Sequence, residues 1–315
     1  MINLLYCFDR NYNVQALVSI MSFIEKNHRD INLFIIHKEP ETFQKYAKKI
    51  TNFKNINLTI KKFEKKRIIP FDVGNAHFSE ATYYRLFMNE YIEKNIKHIL
   101  YIDPDILCLK NVEKEYLDII DQLKKSNNIV AAKTDAKFND EPELFKRLNM
   151  KKSYFNAGIL FVDLEKWRDL KIQKKLISKI NELGQKITLA DQDAMNSFFD
   201  GEYIEIDKTL NFWANHNDNL QMMKYMDNNV FFLHFSGSTK PWTPYGGIDK
   251  ISNYYHEQHF KIFGKHHIIF NNKKNDLYIL LKKIITFEIL QLDKPFLYIY
   301  DFLKIFLNSD NNKID

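Results

Sequence analysis

The run His98-Ile99-Leu100-Tyr101-Ile102-Asp103-Pro104-Asp105 combines a strand signal with an acidic one. Ile99 to Ile102 is a short continuous apolar stretch, which predicts a buried strand. It ends at Asp-Pro-Asp, where a residue without an N–H suits the point of exit from a sheet. Asp103 and Asp105 are two residues apart, and in extended backbone residues i and i+2 share a face. Adjacent carboxylates repel unless a positive charge neutralises them, and a hard divalent cation such as Mg2+ or Mn2+ is the usual solution. An acidic turn that merely closes a strand reads the same way, so both interpretations stand at this point.

Working outward, Leu4 to Phe8, Ile31 to Ile36 and Ile56 to Ile60 predict three earlier strands. Between the first two, Val14, Leu17, Val18, Met21 and Ile24 recur at helical spacing, and Pro40 opens a second helix after the next strand. Alternating strands and helices imply an α/β fold with a mostly parallel sheet. In such sheets ligands bind beyond the carboxyl ends of the strands, which makes Asp9 and Asn11 candidate neighbours of Asp103 and Asp105. There is no Gly-x-Gly-x-x-Gly and no Gly-x-x-x-x-Gly-Lys-Ser/Thr, so the dinucleotide fingerprint and the phosphate loop are both absent.

Composition supports a folded chain. The 315 residues are 45% hydrophobic with only 8 Gly and 7 Pro, which argues against disorder. Cys7 and Cys108 both lie in or beside apolar runs, as reduced buried thiols would, and no disulfide framework is expected. Asn3 to Phe8 is too short and lacks the basic flank of a secretory signal. No 18-residue apolar run is present, so no spanning helix is expected. The formal charge of +6 is uneven: eight Lys face four acids between His259 and Asn308.

Four further stretches carry polar groups where chemistry could use them. Ser79 to Ile92 has helical spacing with Ser79 as N-cap, and holds Arg85 among apolar residues, as a surface charge or aimed into a site. A strand at Ile129 to Ala132 runs on to Asp135. Tyr154-Phe155-Asn156-Ala157-Gly158 leads into a buried run ending at Asp163. Asp191-Gln192-Asp193 begins a helix, either capping it or presenting an amide and two carboxylates to a pocket. Val230 to Leu233 predicts a strand ending in His234-Phe235-Ser236-Gly237-Ser238-Thr239-Lys240-Pro241-Trp242, with a common metal ligand, a glycine permitting close approach, and a point charge suited to phosphate.

Taken in order, Phe8-Asp9-Arg10-Asn11-Tyr12, Ala81-Thr82-Tyr83-Tyr84-Arg85-Leu86, Leu100-to-Asp105, Tyr154-to-Gly158, Asp191-Gln192-Asp193 and His234-to-Trp242 resemble the bacterial enzymes of glycosyltransferase family 8, distant relatives of glycogenin. The resemblance covers about Met1 to Ile251. It implies a GT-A fold: a mostly parallel central sheet flanked by helices, with 1–251 the catalytic domain and 252–315 a helical basic and aromatic extension. It implies a retaining transfer of galactose or glucose from a UDP-sugar to a lipopolysaccharide or lipooligosaccharide. Asp103, Asp105 and His234 would hold Mn2+, with Mg2+ as an alternative. Asp9, Asn11 and Tyr12 would hold the nucleoside, and Gly237 and Lys240 the diphosphate. Arg85, Asp103, Asp135, Asn156 and Asp191 would serve the donor. Gln192 would lie under the anomeric carbon, beside Asp191 and Asp193 in the catalytic group, and His77 would meet the acceptor. Arg10 stands where the family sometimes has an acid.

Other readings make different demands. A glycoprotein or capsular glycan could replace the lipid-linked acceptor. A haloacid-dehalogenase-type phosphatase also places Asp-x-Asp after a strand, but expects Thr or Val where Leu107 stands and a motif near the N-terminus. A non-catalytic sugar-binding protein would have lost the aspartates or His234. In the tail, Leu277, Leu280, Leu281 and Ile284 fall at helical spacing, ringed by Lys273, Lys274, Lys282 and Lys283, and Phe302, Ile305 and Phe306 repeat the pattern. Basic residues interleaved with such a face suit an anionic membrane surface better than nucleic acid, which implies a cytoplasmic protein peripheral to the inner face of the membrane. Two helices packed on the main domain would show the same pattern.

Overall fold

In the computed structural model of the chain, residues 1–64, 79–213 and 220–308 are described. The chain divides into two compact units, Met1–Asn211 and Phe212–Asp315.

The first unit is built on a seven-stranded sheet. Its strands are β1 (Ile2–Phe8), β2 (Ile31–His37), β3 (Ile56–Lys62), β4 (His98–Ile102), β6 (Val130–Thr134), β7 (Phe155–Asp163) and β8 (Ile204–Glu205), with a short β5 (Ile106–Cys108) following β4. The order across the sheet is β3-β2-β1-β4-β7-β6-β8. Four neighbouring pairs are parallel, and β7 runs antiparallel to both β4 and β6. β2 and β7 are buried along their whole length, which explains why their sequences are apolar without alternation. The helix Asn13–Lys26 covers one face with Leu17, Val18, Ile20, Phe23 and Ile24 buried, each contributing about 1.5–3 kcal/mol relative to exposure. Cys7 and Cys108 are free and buried, as expected.

Two local readings change. Ser79 does cap the segment after it, accepting from Ala81 N at 3.0 Å, but Glu80–Phe87 is a 3-10 helix that becomes α-helical only at Met88–Tyr91. Thr82, Tyr83, Tyr84 and Phe87 are all poor helix interior residues. Asp103-Pro104-Asp105 is a turn, closed by Ile106 N donating to Asp103 O at 3.2 Å, and not extended strand. Proline at the second position of such a turn has its φ already set, so Asp105 departs from the line of β4 and the two-residue face rule does not govern it.

In the second unit β9 (Phe212–Trp213) and β10 (Phe232–His234) pair in parallel. Helices Asn253–Phe263, Lys273–Ile285 and Pro295–Asn308 form the expected helical extension. Ile248, Ile268, Leu280, Ile289, Leu292, Tyr298 and Phe302 make one core, so the extension packs on the segment just before it. Leu277, Leu280 and Ile284 turn inward with Ile305 and Phe306, whereas Leu281 is exposed beside Tyr278, Ile285, Phe287, Leu290 and Phe296. The outward apolar face is therefore not the stripe the spacing suggested, because the inner stripe is spent on this core.

The extension also holds the loop that follows β10. Ile269 N donates to Trp242 O at 2.7 Å, and the Trp242 ring lies 5.2 Å from that of Tyr255. A Cβ on Gly247 would come within 2.7 Å of the Tyr298 hydroxyl and 2.8 Å of Pro241 O. Four histidines cluster here. His256 Nε2 donates to Gly247 O and His259 Nδ1 to Lys265 O, both at 2.7 Å. His267 stacks on His259 at 5.1 Å, and His266 meets Asp301 at 2.8 Å. Burial is the main force that pushes His256 down to about 3 and His259 to about 4.

Candidate active site

β1 and β4 are parallel neighbours, with Leu4 opposite Leu100 and Leu5 opposite Tyr101, so Asp9 and Asp103 leave the sheet at the same edge. Asp9 caps the turn Arg10–Tyr12 by accepting from Asn11 N at 2.9 Å, and takes the Ser79 hydroxyl at 2.5 Å. Tyr12 is half-buried. Burial, then the charges of Asp105, Asp103 and Asp9, raise its phenol, which places Tyr12 among three carboxylates.

Arg85 ties this edge together. The residue is 4% exposed, so it is no surface charge. Nη1 reaches Asp103 Oδ1 at 3.2 Å and Ala157 O at 2.7 Å. Nε lies 2.7 Å from Asp191 Oδ2 and 3.0 Å from Thr82 O, and Nη2 lies 3.3 Å from Asp191 Oδ1. The guanidinium sits 4.5 Å over the Tyr101 ring, and Tyr101 also donates to Asp103 Oδ1. A planar five-donor group fits such a site where a lysine would not. Burial pushes the Asp191 carboxyl up to about 6 against the pull of Arg85; the two-point contact with a permanent cation keeps it ionised at neutral pH.

The strand β7 enters beside this node. Asn156 Oδ1 accepts from Gly158 N and from Asn211 Nδ2, each at 3.0 Å. Asp135 caps the turn after β6 through Phe138 N at 3.3 Å, with its carboxyl raised mainly by burial and lowered in part by Asn156. From the helix Ala190–Phe199, Gln192 Oε1 accepts from Ala157 N at 2.8 Å while Nε2 donates to Tyr154 OH at 3.1 Å. Asn196 completes the edge of β7, accepting from Phe155 N at 2.7 Å and donating to Phe155 O at 2.8 Å. The capping alternative for Asp191-Gln192-Asp193 thus applies to one residue of three. Asp193 reaches back to Thr188 N and Leu189 N at 2.8 and 3.0 Å, while Asp191 and Gln192 turn to Arg85 and β7.

One unit therefore gathers Asp9, Asn11, Tyr12, Arg85, Asp103, Asp105, Asp135, Asn156, Asp191, Gln192 and Asp193 around the ends of β1, β4 and β7. His234, Gly237 and Lys240 lie in the other unit. There His234 ends β10 and is buried, Gly237 has a left-handed φ of +85°, and Lys240 Nζ donates to Phe235 O at 2.7 Å. His77 lies outside the described residues. Tyr101, Asn196 and Asn211 were not singled out from sequence; the spacing of Asn196, one helical turn after Gln192, was the available signal for it.

The sheet, its acidic edge and the helix-borne amide define a GT-A-like α/β glycosyltransferase fold. Residues 3–245 match the profile of "Glycosyl transferase family 8", and the chain belongs to that family. It is 26% identical over 266 residues to a lipopolysaccharide 1,3-galactosyltransferase of Salmonella typhimurium, covering 80% of this chain and 76% of that one. It is 25% identical over 254 residues to a lipopolysaccharide 1,2-glucosyltransferase of Escherichia coli K12, covering 76% and 72%. The fold is similar to that of the galactosyltransferase LgtC, solved with donor and acceptor sugar analogues, with a TM-score of 0.68 at 20% identity over 87% of this chain and all of that one.

Proposed function

We propose that this glycosyltransferase moves galactose or glucose from a UDP-sugar to a lipopolysaccharide or lipooligosaccharide acceptor with retention of anomeric configuration. The observation that carries the reading is the Arg85 node, which gathers Asp103, Asp191 and the Ala157 carbonyl beside the Gln192 amide. Asp9, Asn11 and Tyr12 hold the nucleoside, and Gly237 and Lys240 take the diphosphate. Asp135, Asn156, Asp191 and Arg85 orient the hexose, and His77 meets the acceptor. Arg85 contacts both Asp103 and Asp191, which fixes the two carboxylates on the side where the donor is bound.

Two carboxylates, Asp103 and Asp105, offer hard oxygen donors and His234 an imidazole nitrogen, donor types that suit a divalent cation. Asp103 and Asp105, with His234, are the residues that would hold Mn2+ or Mg2+. Bound there, the ion would neutralise charge on the departing diphosphate. The residues of the chain do the rest. Lys240 offsets the same charge. As the sugar becomes oxocarbenium-like, the Gln192 amide oxygen faces positive charge without being a strong nucleophile. A solved LgtC structure with a TM-score of 0.61 is described as an active-site mutant in which a glutamine is replaced by glutamate, which fits a glutamine in this role.

Residues 1–251 form the catalytic part in this reading. Residues 252–315 attach it to the inner face of the cytoplasmic membrane. The outward Tyr278, Leu281 and Ile285 share their helix with the exposed Lys274 and Lys282, and Phe287, Leu290 and Phe296 are exposed after it; each basic residue near an anionic surface adds about 1 kcal/mol. No described helix is long and apolar enough to cross a membrane. The test of the whole reading is release of UDP from UDP-glucose and UDP-galactose with Mn2+ and a truncated lipopolysaccharide acceptor, followed by proton NMR of the new anomeric centre. An α-linked product from the α-linked donor is expected; a β-linkage, or no UDP release from either donor, overturns it.

A further inference from the structure

We infer that Tyr154 is a positioning residue that fixes which end of the Gln192 amide faces the reacting sugar, with Asp193 as its anchor. The inference rests on the role proposed above for Gln192.

The argument is one of donors and acceptors. Asp193 is wholly buried. Its Oδ2 accepts from Thr188 N at 2.8 Å, Leu189 N at 3.0 Å, Arg147 Nη1 at 3.0 Å and the Thr188 hydroxyl at 3.3 Å. With four donors on one oxygen, a guanidinium among them, the carboxylate serves as an acceptor. Its Oδ1 takes the Tyr154 hydroxyl at 2.7 Å. A phenol has one proton, so the remaining neighbour of that oxygen must itself donate. That neighbour is the Gln192 side chain at 3.1 Å, which must present Nε2. The other end of the amide faces Ala157 N–H at 2.8 Å, which can only donate and therefore requires Oε1. Both ends of the glutamine are specified, by groups that cannot exchange roles. Tyr154 is fully buried, and burial first, then Asp193, raises its phenol well above the usual range, so the proton that sets the pattern stays in place at any working pH.

The consequence concerns sign. An amide turned by half a revolution would offer an NH2 group to a centre that is becoming positive. It would repel what the oxygen stabilises. Tyr154 therefore acts on the transition state through Gln192, and Asp193 is bound too completely by its own chain to serve as a nucleophile or a base. Its share in the reaction is to hold the Tyr154 proton in one direction.

A double-mutant cycle tests this. UDP release from UDP-glucose and UDP-galactose with Mn2+ is measured for the full chain, Tyr154→Phe, Gln192→Ala and the double variant. Tyr154→Phe is expected to lower kcat on the order of tenfold to a hundredfold, the usual cost of losing a group that orients a functional side chain, with donor KM within about threefold because the loss is one of transition-state stabilisation. In the Gln192→Ala background the same change is expected to cost nothing further. Equal losses in both backgrounds, or a fall in melting temperature with kcat intact, overturn the inference. If Gln192→Ala turns over like the full chain, the role of Gln192 falls first. A second measurement covers a Tyr154→Phe variant that does not fold. In 15N-glutamine-labelled protein, the side-chain NH2 signal absent from Gln192→Ala should exchange slowly with water and show close contacts to the Tyr154 ring. An NH2 that exchanges as fast as an exposed glutamine's and shows no such contact refutes the inference even if neither donor is turned over.

Discussion

Acidification should unfold the second unit through its buried imidazoles. His256 and His259 are 4% and 2% exposed, pushed by burial down to about 3 and about 4 from an ordinary 6.5. Each faces a backbone carbonyl, which can only accept, so the single proton of the neutral ring sits on Nε2 of His256 and on Nδ1 of His259. The unfolded chain takes up protons near pH 6.5 while the folded one does not, so stability is complete above that pH and falls as the pH drops below it. A pH of 5 lies about 1.5 below the unfolded value of each imidazole and still above its folded one, a loss of about 2 kcal/mol apiece and about 4 kcal/mol together. That is a large part of the 5–15 kcal/mol typical of a domain. His267, bonded through Nδ1 to Tyr255 OH at 2.7 Å, is pushed down to about 3, mainly by burial, and acts in the same direction. Asp301, beside His266, opposes the trend at His259, while Lys265 reinforces it. The assay is urea unfolding followed by tryptophan fluorescence from pH 7.5 to 5, with His256→Gln and His259→Asn combined in one variant. Each substitute keeps an amide nitrogen near the position of the donor it replaces. The variant should start less stable and lose stability with a shallower slope, by up to two protons. Parallel slopes for the two proteins would refute the reasoning.

Other predictions are sharper in sign than in size. Arg85→Ala leaves Asp191 buried without its cation and should cost about 3–5 kcal/mol, much of it recovered by adding Asp191→Asn, as read by thermal unfolding. Gly247→Ala drives a Cβ to within 2.7 Å of the Tyr298 hydroxyl and should destabilise by about 1–3 kcal/mol; full stability would mean that the loop moves away easily. Asp103→Asn or Asp105→Asn should abolish Mn2+-dependent UDP release, and full activity of the unaltered chain in chelator would remove the metal from the reading. Phe287→Ser with Phe296→Ser should leave UDP release intact and reduce sedimentation with anionic vesicles several-fold; unchanged sedimentation would rule out this face as the attachment.

Much of the first unit was legible because its strands are unbroken apolar runs, which periodicity detects well: β1, β2, β4 and β7 all stand where Leu4 to Phe8, Ile31 to Ile36, Ile99 to Ile102 and the run to Asp163 put them. What periodicity could not give was direction. That β7 lies antiparallel beside β4 depends on pairing across distant sequence. The site was legible as a set of motifs but not as a network. Arg85 reads equally as a surface charge until its burial is seen, and Asn196 looks like any helical asparagine until it is found bonding both backbone groups of Phe155. In the tail, the stripe at Leu277, Leu280 and Ile284 was real, but which of two apolar faces turns inward depends on Ile248, Ile268 and Phe302, far from it in the chain.

The separation of the site's parts along the chain also sets the order in which synthesis can complete it. β1, β2 and β3 need only the first 62 residues and pair as consecutive neighbours, so a half-sheet can form while most of the protein is still to be made. Arg85 meets Asp103 after a gap of 18 residues, but Asp191 only across 106. Closing the longer span costs more chain entropy, and contacts of that reach form late. The emerging chain therefore carries a buried-to-be arginine with half its counter-charge, and the helix Ala190–Phe199 closes the node. Protease protection of ribosome-stalled chains would show that order, with β1 to β3 shielded at lengths where Arg85 and its neighbours are still cut.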